Sequence, residues 1–425
     1  MLEKVENTHV EFKSNSKSTF LKTVSAFANY FNGDIYFGIE DDGEVSGIED
    51  INNEKLAIEN AINDGIKPRP KFTLKVIELD KKEVINLKVF KGSKPPYMFK
   101  NKSYQRQDTS TIPVDEVAFQ QLYLEGSNLS FDELETECTE LNFSILENNL
   151  KNVIGIVKIT DDLLRTMGLL KGEIYTNAGK LFSDSNNYKF GLDMVRFGAS
   201  DNIFLERREV KGTSLLKQYN EAMDMFDKWY SPYEEVVGFY REQRIQIPRE
   251  AFRETIANAL VHRDYVLKSN IRIAMRENSI EIISPGGLPT GISKDAYIKG
   301  LYSQLRNETI AETFRRLQIV EKFGTGVKRI REAYQEFKES PEFDVIDGLA
   351  IQVVLPKINY NKNGTDYDLN ILTYINQNVE ANRAEIQEAV GGSDAKLKRS
   401  LQRLANENKI TKVGSGRSTK YQSIK

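Results

Sequence analysis

The scarcity of cysteine is the feature that most constrains how this chain can fold. Its 425 residues contain one cysteine, Cys138, and two histidines, His9 and His262. An internal disulfide and a cysteine-based zinc site are therefore excluded, and a centre built from several histidines is disfavoured. The chain must be stabilised by packed apolar cores, and at ~150 residues per domain its length predicts about three domains.

Charge and hydropathy exclude further classes of protein. No apolar run approaches the ~18 residues of a membrane span, and the N-terminus lacks the basic flank and apolar stretch of a signal peptide. We therefore expect a cytoplasmic protein with no membrane partner. Lysine and arginine total 59 against 62 acids, a formal net charge of −3, so an argument for nucleic-acid binding must be local.

Apolar periodicity predicts an α/β multidomain protein. Strand and helix patterns alternate in residues 1–125 and again in residues 248–357. Between them, residues 126–247 are predicted to form an acidic linker followed by an α/β connecting region. Within this region, a helix is expected over residues 224–240. The acidic part could instead be a docking site. A polar linker is expected at residues 357–365.

The N-terminal region resembles a known family. The segments HVEFK, KTVSAFANYFNGDIYFGIEDDGEVSGI and YQRQDTS are similar to the Schlafen AlbA-type domain over about residues 5–125. The resemblance implies an AlbA-like α+β fold that binds nucleic acid. The candidate basic surface comprises Lys13, Lys17, Lys22, Arg69, Lys71, Lys100, Lys102 and Arg106, with Tyr97, Phe99 and Tyr104 between some of them for base stacking. The alternative is a set of scattered, solvated lysines.

Carboxylates near the first strand suggest a second activity for this region. Glu6 and Glu11 are five residues apart, and Asp41 lies in an acidic run that ends the next strand. Clustered carboxylates bind Mg²⁺ or Mn²⁺, which can activate water against phosphate. Some Schlafen proteins use two glutamates and an aspartate in this way as ribonucleases. The simpler alternative is an ion pair between Glu11 and a lysine, with the other acids in a turn.

A predicted helix from Pro248 to His262 carries the most specific polar pattern. Glu254, Asn258 and His262 are four residues apart and therefore share one face. A carboxylate and an amide one turn apart can hold Mg²⁺ and orient a water molecule. Glycine-rich turns at residues 286–287 and 324–326 permit close approach of the backbone to a ligand, and the second opens a helix that favours phosphate.

Four ordered motifs in this region resemble a second family. FRETIANALVHRDY, EIISPGGLPTGI, RNETIAE and EKFGTGVKRI are similar to the GHKL (Bergerat-fold) ATPase-like domain of RecG-related bacterial proteins. The resemblance implies an α/β sandwich that binds ATP and Mg²⁺, with Asn258 as the Mg²⁺ ligand and Glu254 as the acid that activates water. The remaining nucleotide contacts that it implies are His262, Ser284, Gly286, Gly287, Arg306, Gly324, Thr325 and Gly326.

The sequence departs from the usual GHKL pattern at one position. Ser284 stands where GHKL enzymes usually carry an aspartate that reads the adenine amino group, and a hydroxyl accepts that hydrogen bond more weakly. The sequence also lacks the P-loop pattern GxxxxGK[ST] and other helicase motifs, so the helicase activity that the RecG name implies is not expected.

The C-terminal region, residues 366–425, follows the order of a winged helix-turn-helix domain. Three predicted helices precede two strands around the turn Gly414-Ser415-Gly416. Residues 391–425 hold nine lysines and arginines and two acids, which favours phosphate contacts with DNA and a helix in the major groove. The candidate contacts are Lys396, Lys398, Arg399, Arg403, Lys412, Arg417 and Lys420. The alternative is a domain that binds only protein.

Together these patterns predict a DNA-binding transcriptional regulator controlled by nucleotide. One alternative is a Schlafen-like metal-dependent ribonuclease under nucleotide control, acting on RNA in phage defence. Another is a non-catalytic assembly protein. By analogy with GHKL dimers, we expect a homo-oligomer.

Overall fold

The computed structural model describes residues 5–16, 19–237, 240–289, 292–301, 304–321, 326–346, 348–414 and 419–424. The chain divides into two compact units. The first comprises Met1–Thr136 with Tyr265–Leu267, and the second comprises Glu137–Asp264 with Lys268–Lys425. In the described part of the chain, no helix has the length and apolar character that a membrane crossing requires.

The first unit is built on a four-stranded sheet with the order β1-β2-β5-β4. Its elements are β1 (Val10–Lys13), α1 (Phe20–Tyr30), β2 (Gly33–Phe37), α2 (Ile51–Gly65), β3 (Ile66–Lys67), β4 (Phe72–Leu79), β5 (Lys82–Val89), β6 (Met98–Phe99), β7 (Tyr104–Gln107), β8 (Ser110–Pro113) and α3 (Glu116–Ser127). Strands β1 and β2 are parallel, and β5 is antiparallel to both β2 and β4. Strand β3 pairs with β6, and β7 pairs with β8.

Helix α1 forms the centre of the first core. Phe20, Val24 and Phe27 are buried against sheet residues that include Ile35. The helix ends before Gly33, where a Cβ would lie 2.5 Å from the ring of Phe27. The strand at residues 10–13, the following helix and the hairpin around residues 80–82 agree with the elements predicted from the sequence.

The second unit begins with small elements that lead into its main sheet. These are α4 (Ser144–Ile154), α5 (Asp161–Thr166), β9 (Leu170–Lys171), β10 (Ile174–Tyr175), α6 (Asn177–Phe182), β11 (Gly191–Phe197), β12 (Phe204–Lys211), α7 (Leu215–Tyr230), β13 (Tyr233–Val237) and β14 (Tyr240–Arg244). The helix expected over residues 224–240 is wrong in its second half. Helix α7 ends at Tyr230 because Pro232 disfavours helical geometry at Ser231, and the hairpin β13–β14 follows.

A six-stranded sheet with the order β12-β11-β15-β16-β18-β17 dominates the second unit. Its further elements are α8 (Arg249–His262), β15 (Ile271–Met275), β16 (Ser279–Pro285), α9 (Lys294–Ile298), α10 (Glu308–Arg316), α11 (Gly326–Glu332), β17 (Glu342–Ile346) and β18 (Ala350–Pro356). Strands β11 and β12 belong to this sheet although they precede residue 248, where the sequence placed the domain boundary. Helices α7 and α8 pack together through the stacked rings of Phe226 and Phe252, 4.4 Å apart.

The chain ends in three helices and a three-stranded antiparallel sheet with the order β19-β21-β20. The elements are α12 (Tyr360–Asn378), β19 (Glu380–Asn382), α13 (Arg383–Val390), α14 (Asp394–Asn406), β20 (Ile410–Val413) and β21 (Lys420–Ser423). Ile371, Leu397 and Leu401 lie in its core. The linker expected at residues 357–365 is wrong in part, because α12 already begins at Tyr360.

Candidate functional site

Helix α8 supplies three of the polar side chains of a pocket in the second unit. Thr255, Asn258 and His262 line this pocket, whose cavity volume is about 100 Å³. Opposite them, the walls are mainly apolar and include Ile282 and Val353. An apolar cleft with a few convergent polar groups is the usual form of a small-molecule site.

Glu254 is buried one helical turn before Asn258. Its side-chain Oε1 accepts a hydrogen bond from Asn258 Nδ2 at 3.4 Å, and its Oε2 has no hydrogen-bond partner among the described residues. Burial raises the pKa of the Glu254 carboxyl, and Arg329, whose Nη1 lies 3.9 Å from Oε2, opposes that rise. A buried carboxyl with a raised pKa is the kind of group that can accept a proton from water.

Glycines bring the backbone close to these side chains. A Cβ on Gly326, the first residue of α11, would overlap the Asn258 amide and lie 2.9 Å from Glu254 Oε1. Gly286 has φ +104°, which favours glycine, and a Cβ on Gly287 would overlap the carbonyl of Gly348. Gly324 and Thr325, which the resemblance places in the same turn, lie outside the described residues.

Toward a ligand in the pocket, the Ser284 hydroxyl can act only as a hydrogen-bond acceptor. Its hydroxyl donates to the carbonyl of Ala259 at 3.0 Å, one of the four carbonyls that a helix C-terminus leaves without an intrahelical partner. Because the hydroxyl proton is used there, only oxygen lone pairs remain for a ligand in the pocket. This is the polarity needed to accept a hydrogen bond from an amino group.

Arg306 and Asn307 form hydrogen bonds with the end of α8 and do not line the pocket. Arg306 Nη1 donates to the carbonyl of His262 at 3.3 Å, and its Nη2 donates to that of Gly287 at 2.7 Å. The nucleotide contact expected of Arg306 is therefore corrected to a role in holding the glycine turn against the helix. Asn307, fully buried, donates to the carbonyl of Val261 at 2.8 Å. Asn307 belongs to the motif RNETIAE but is not among the site residues predicted from the sequence.

His262 is neutral near pH 7. Burial and the positive charge of Arg306 lower the pKa of His262 to about 4. It can therefore offer a hydrogen bond inside the pocket without adding a charge.

In the first unit, Glu11 is held in a buried ion pair. Its carboxylate binds Arg106, whose side chain is fully buried, and lies 2.8 Å from Lys13 Nζ. Arg106 also donates to Thr111 Oγ1 at 3.0 Å and to the carbonyl of Asn7 at 3.0 Å. The expectation that Arg106 contacts nucleic acid is therefore wrong for this structure. Lys13 is largely paired with acidic side chains.

The three carboxylates proposed for a nuclease do not form one group. Glu6 and Glu11 both lie near Lys13 Nζ, at 3.9 and 2.8 Å. Glu6 Oε1 accepts a hydrogen bond from the backbone N–H of Phe12 at 2.7 Å, and Asp41 is exposed. The described residues contain no group of three or more histidine, cysteine or acidic side chains that could hold a metal ion. Tyr97 and Tyr104 are buried, so they cannot stack on bases as expected.

The basic residues of the C-terminal region fall into two classes. Lys396, Lys398, Arg399 and Lys412 are exposed. Arg403 instead binds Asp368 of α12, with its Nε 2.8 Å from Oδ2, and Lys420 pairs with Glu380. Arg403 therefore forms an ion pair between α14 and α12, and the phosphate contact expected of it stays a prediction. Arg417 lies outside the described residues.

Comparisons with known proteins agree with both resemblances. Residues 6–115 match the family model described as Schlafen, AlbA_2, and residues 268–355 match the model described as putative ATP-dependent DNA helicase recG C-terminal. These matches indicate a function connected with nucleotides and nucleic acid. The second match begins after α8, so Glu254 and Asn258 lie outside it.

One solved structure is similar over almost the whole length. The crystal structure of the DIP2311 protein from Corynebacterium diphtheriae aligns with 98% of this chain and 92% of that chain, at 19% sequence identity and a TM-score of 0.48. No curated protein matches the sequence.

Proposed function

We propose that the pocket on α8 binds ATP with Mg²⁺, and that nucleotide occupancy controls a DNA-binding transcriptional regulator. The observation that carries the proposal is the convergence of Asn258 and Ser284 on one pocket, with Glu254 one helical turn before Asn258 and Gly326 against the Asn258 amide. A Cβ at position 326 would overlap that amide, so the close approach of α11 to Asn258 requires glycine.

The side chains present fit an ATP–Mg²⁺ pair. The amide oxygen of Asn258 is a hard ligand of the kind that Mg²⁺ prefers. The Oε2 atom of Glu254 is buried and has no hydrogen-bond partner among the described residues, so it could receive a proton from a water molecule. Ser284 would accept the hydrogen bond of the adenine amino group, since its own proton is donated to Ala259. Bound ATP would supply a terminal phosphoryl group for transfer to water, which would release ADP and inorganic phosphate.

The C-terminal region supplies the DNA-binding part of this proposal. Three helices and a small antiparallel sheet, with β19 between the first two helices and β20 and β21 after the third, are the elements of a winged helix-turn-helix domain, and α14 is its third helix. Exposed Lys396, Lys398 and Arg399 lie on α14, and exposed Lys412 lies on β20. Cations in these positions favour contacts with DNA phosphates.

Thermal unfolding with and without ATP–Mg²⁺ tests the nucleotide site. A ligand that binds only the folded state raises the melting temperature, and at a concentration of ~100 Kd it stabilises by about 2.7 kcal/mol. We expect Asn258→Ala to abolish the shift, and Asn202→Ala, at an exposed loop position, to retain it. An unshifted melting temperature in the wild-type protein would refute the nucleotide site.

A second variant separates binding from hydrolysis. Glu254→Gln keeps the size and one acceptor of the side chain but cannot take up a proton as a carboxylate does. It should retain the ATP-dependent shift and lose release of inorganic phosphate. Equal phosphate release by Glu254→Gln and the wild type would show that Glu254 is not the base.

A further inference from the structure

Two consecutive residues just after helix α8 belong to different units. Asp264 ends the stretch Glu137–Asp264 of the second unit, and Tyr265–Leu267 is grouped with the first unit. Asp264 is 8% exposed and Tyr265 is 2% exposed. The chain therefore passes directly from one unit to the other through buried residues. The Cα atoms of Asp264 and Tyr265 must stay about 3.8 Å apart, so a shift of one residue displaces the other.

Tyr265 is anchored within the first unit. Its ring stacks on that of Phe131, with the ring centroids 6.0 Å apart and an interplanar angle of 17°. Phe131 begins the 3₁₀ turn Phe131–Glu133, and the backbone N–H of Leu134 donates to the carbonyl of Phe131 at 3.3 Å. The next residue, Val266, is also buried. A stacked aromatic pair stabilises beyond the area that it buries, so this contact holds the segment in place.

Asp264 is held by the wall of the pocket. Its backbone N–H donates to the carbonyl of Pro285 at 2.9 Å. Pro285 stands between Ser284 and the glycine turn, and Ser284 and Gly287 both line the pocket. A Cβ on Gly286 would lie 2.5 Å from the Cβ of Asp264, so the turn packs directly on this residue. A ligand that fixes the turn would therefore also fix Asp264.

Arg263 restricts the same segment from its other end. Its side chain is 1% exposed, and its guanidinium lies 4.2 Å from the centroid of the Phe190 ring. Residues 263–266 are thus all buried. Packed side chains and hydrogen bonds that follow one another in this way are the physical means by which two sites can be coupled.

We propose that residues 264–266 couple nucleotide occupancy of the pocket to the packing of Tyr265 on Phe131 in the first unit. The inference rests on the proposed nucleotide site, and it adds the route by which occupancy acts outside the second unit. Coupling between two sites is reciprocal. Loss of the Tyr265 anchor must therefore weaken nucleotide binding by the same factor by which the nucleotide strengthens the anchor.

The test compares Phe131→Ala with Phe119→Ala in the full-length chain. Both variants remove the same aromatic side chain from the first unit. Phe131 carries the ring of Tyr265, whereas Phe119 lies on α3 and is 36% exposed. Hydrogen–deuterium exchange, with and without ATP–Mg²⁺, would follow the 3₁₀ turn and α8, and unchanged exchange of α1 would show that the first unit stays folded. Calorimetric titration would measure the nucleotide affinity of each chain.

In the wild-type protein, ATP–Mg²⁺ should slow exchange at residues 131–134 by at least about fivefold, the lower end of typical coupling. Phe131→Ala should bind the nucleotide more weakly by the same factor and should show slower exchange on α8 alone. Phe119→Ala should match the wild type to within about twofold, which is below that range.

An insertion provides a second test that removes neither ring. Two glycines between Asp264 and Tyr265 lengthen the chain with flexible residues and should have the same effect as Phe131→Ala. Two glycines between Ala199 and Ser200, both exposed, are the matched control and should leave coupling intact.

Slower exchange on α8 without any change in the 3₁₀ turn would overturn the inference while leaving the nucleotide site intact. Unchanged nucleotide affinity in Phe131→Ala and in the insertion variant would do the same. Protection of the turn that survives both changes would show that occupancy reaches the first unit by another route, and would also overturn it. A wild-type chain with no slowing on α8 and no shift in melting temperature would refute the nucleotide site and the inference together.

Discussion

Gly326→Ala tests whether the close approach of α11 to α8 holds the pocket in its working geometry. The added Cβ would overlap the Asn258 amide and lie 2.9 Å from Glu254 Oε1, whereas ordinary contacts of a Cβ are 3.4–4 Å. Either the amide or the first turn of α11 must therefore move by several tenths of an ångström to about 1 Å. Displacements of about 1 Å in a positioned group reduce activity by up to about 10²-fold.

We expect Gly326→Ala to weaken ATP–Mg²⁺ binding by about 10- to 100-fold, or about 1.4–2.8 kcal/mol, in calorimetric titration. Forcing a group into a packed site also destabilises a fold by about 1–3 kcal/mol. That loss should appear in urea unfolding of the nucleotide-free protein.

Asn258→Ala provides the control because it removes the amide that the new Cβ would meet. If the overlap is the cause, Gly326→Ala should reduce stability much less in the Asn258→Ala background, giving a non-additive double-mutant cycle. Unchanged nucleotide affinity in the single variant, or additive losses of stability, would refute this reasoning.

Three further predictions concern other parts of the chain. Arg403→Ala leaves Asp368 without its partner and should lower the free energy of unfolding by roughly 2–4 kcal/mol. This loss is smaller than for a fully buried pair because Arg403 is partly exposed. An unchanged midpoint of urea unfolding would contradict this prediction. Because the pKa of His262 is about 4 when folded and near 6.5 when unfolded, the unfolded chain binds more protons between these values. Stability should therefore fall as pH drops from 6.5 to 4, and His262→Gln should remove that part of the pH dependence, as measured by chemical unfolding at pH 7 and pH 5. Glu11→Gln should reduce thermal stability because it breaks the ion pair with Arg106. The same variant should leave any Mn²⁺-dependent cleavage of RNA unchanged. Cleavage by the wild-type protein but not by the variant would restore the nuclease hypothesis.

Local patterns in the sequence predicted the elements that carry the site. The four-residue spacing of Glu254, Asn258 and His262 is a property of any helix, so it could be predicted without the rest of the chain. The pairing of Arg106 with Glu11 could not, because these residues are 95 positions apart and the sequence does not specify which acid a distant arginine meets. The same holds for Arg403 and Asp368, which are 35 positions apart.

Errors in the predicted boundaries have one local and one long-range cause. The start of α12 at Tyr360 was missed because the residues after it, asparagines, a lysine and a glycine, have low helix propensity or little apolar pattern. The domain predicted from residue 248 omitted β11 and β12 of the six-stranded sheet. These strands precede α7 and α8, and the sequence alone does not show that β11 lies beside β15.

The end of α8 is bound by residues from two separate motifs. Ser284 comes from β16, and Arg306 and Asn307 come from the segment before α10, yet each donates to a different carbonyl of the same helical turn. A change at one of these positions alters the constraint on the other two. In an alignment of relatives, positions 284, 306 and 307 should therefore covary with one another more strongly than any of them does with the apolar residues that line the pocket.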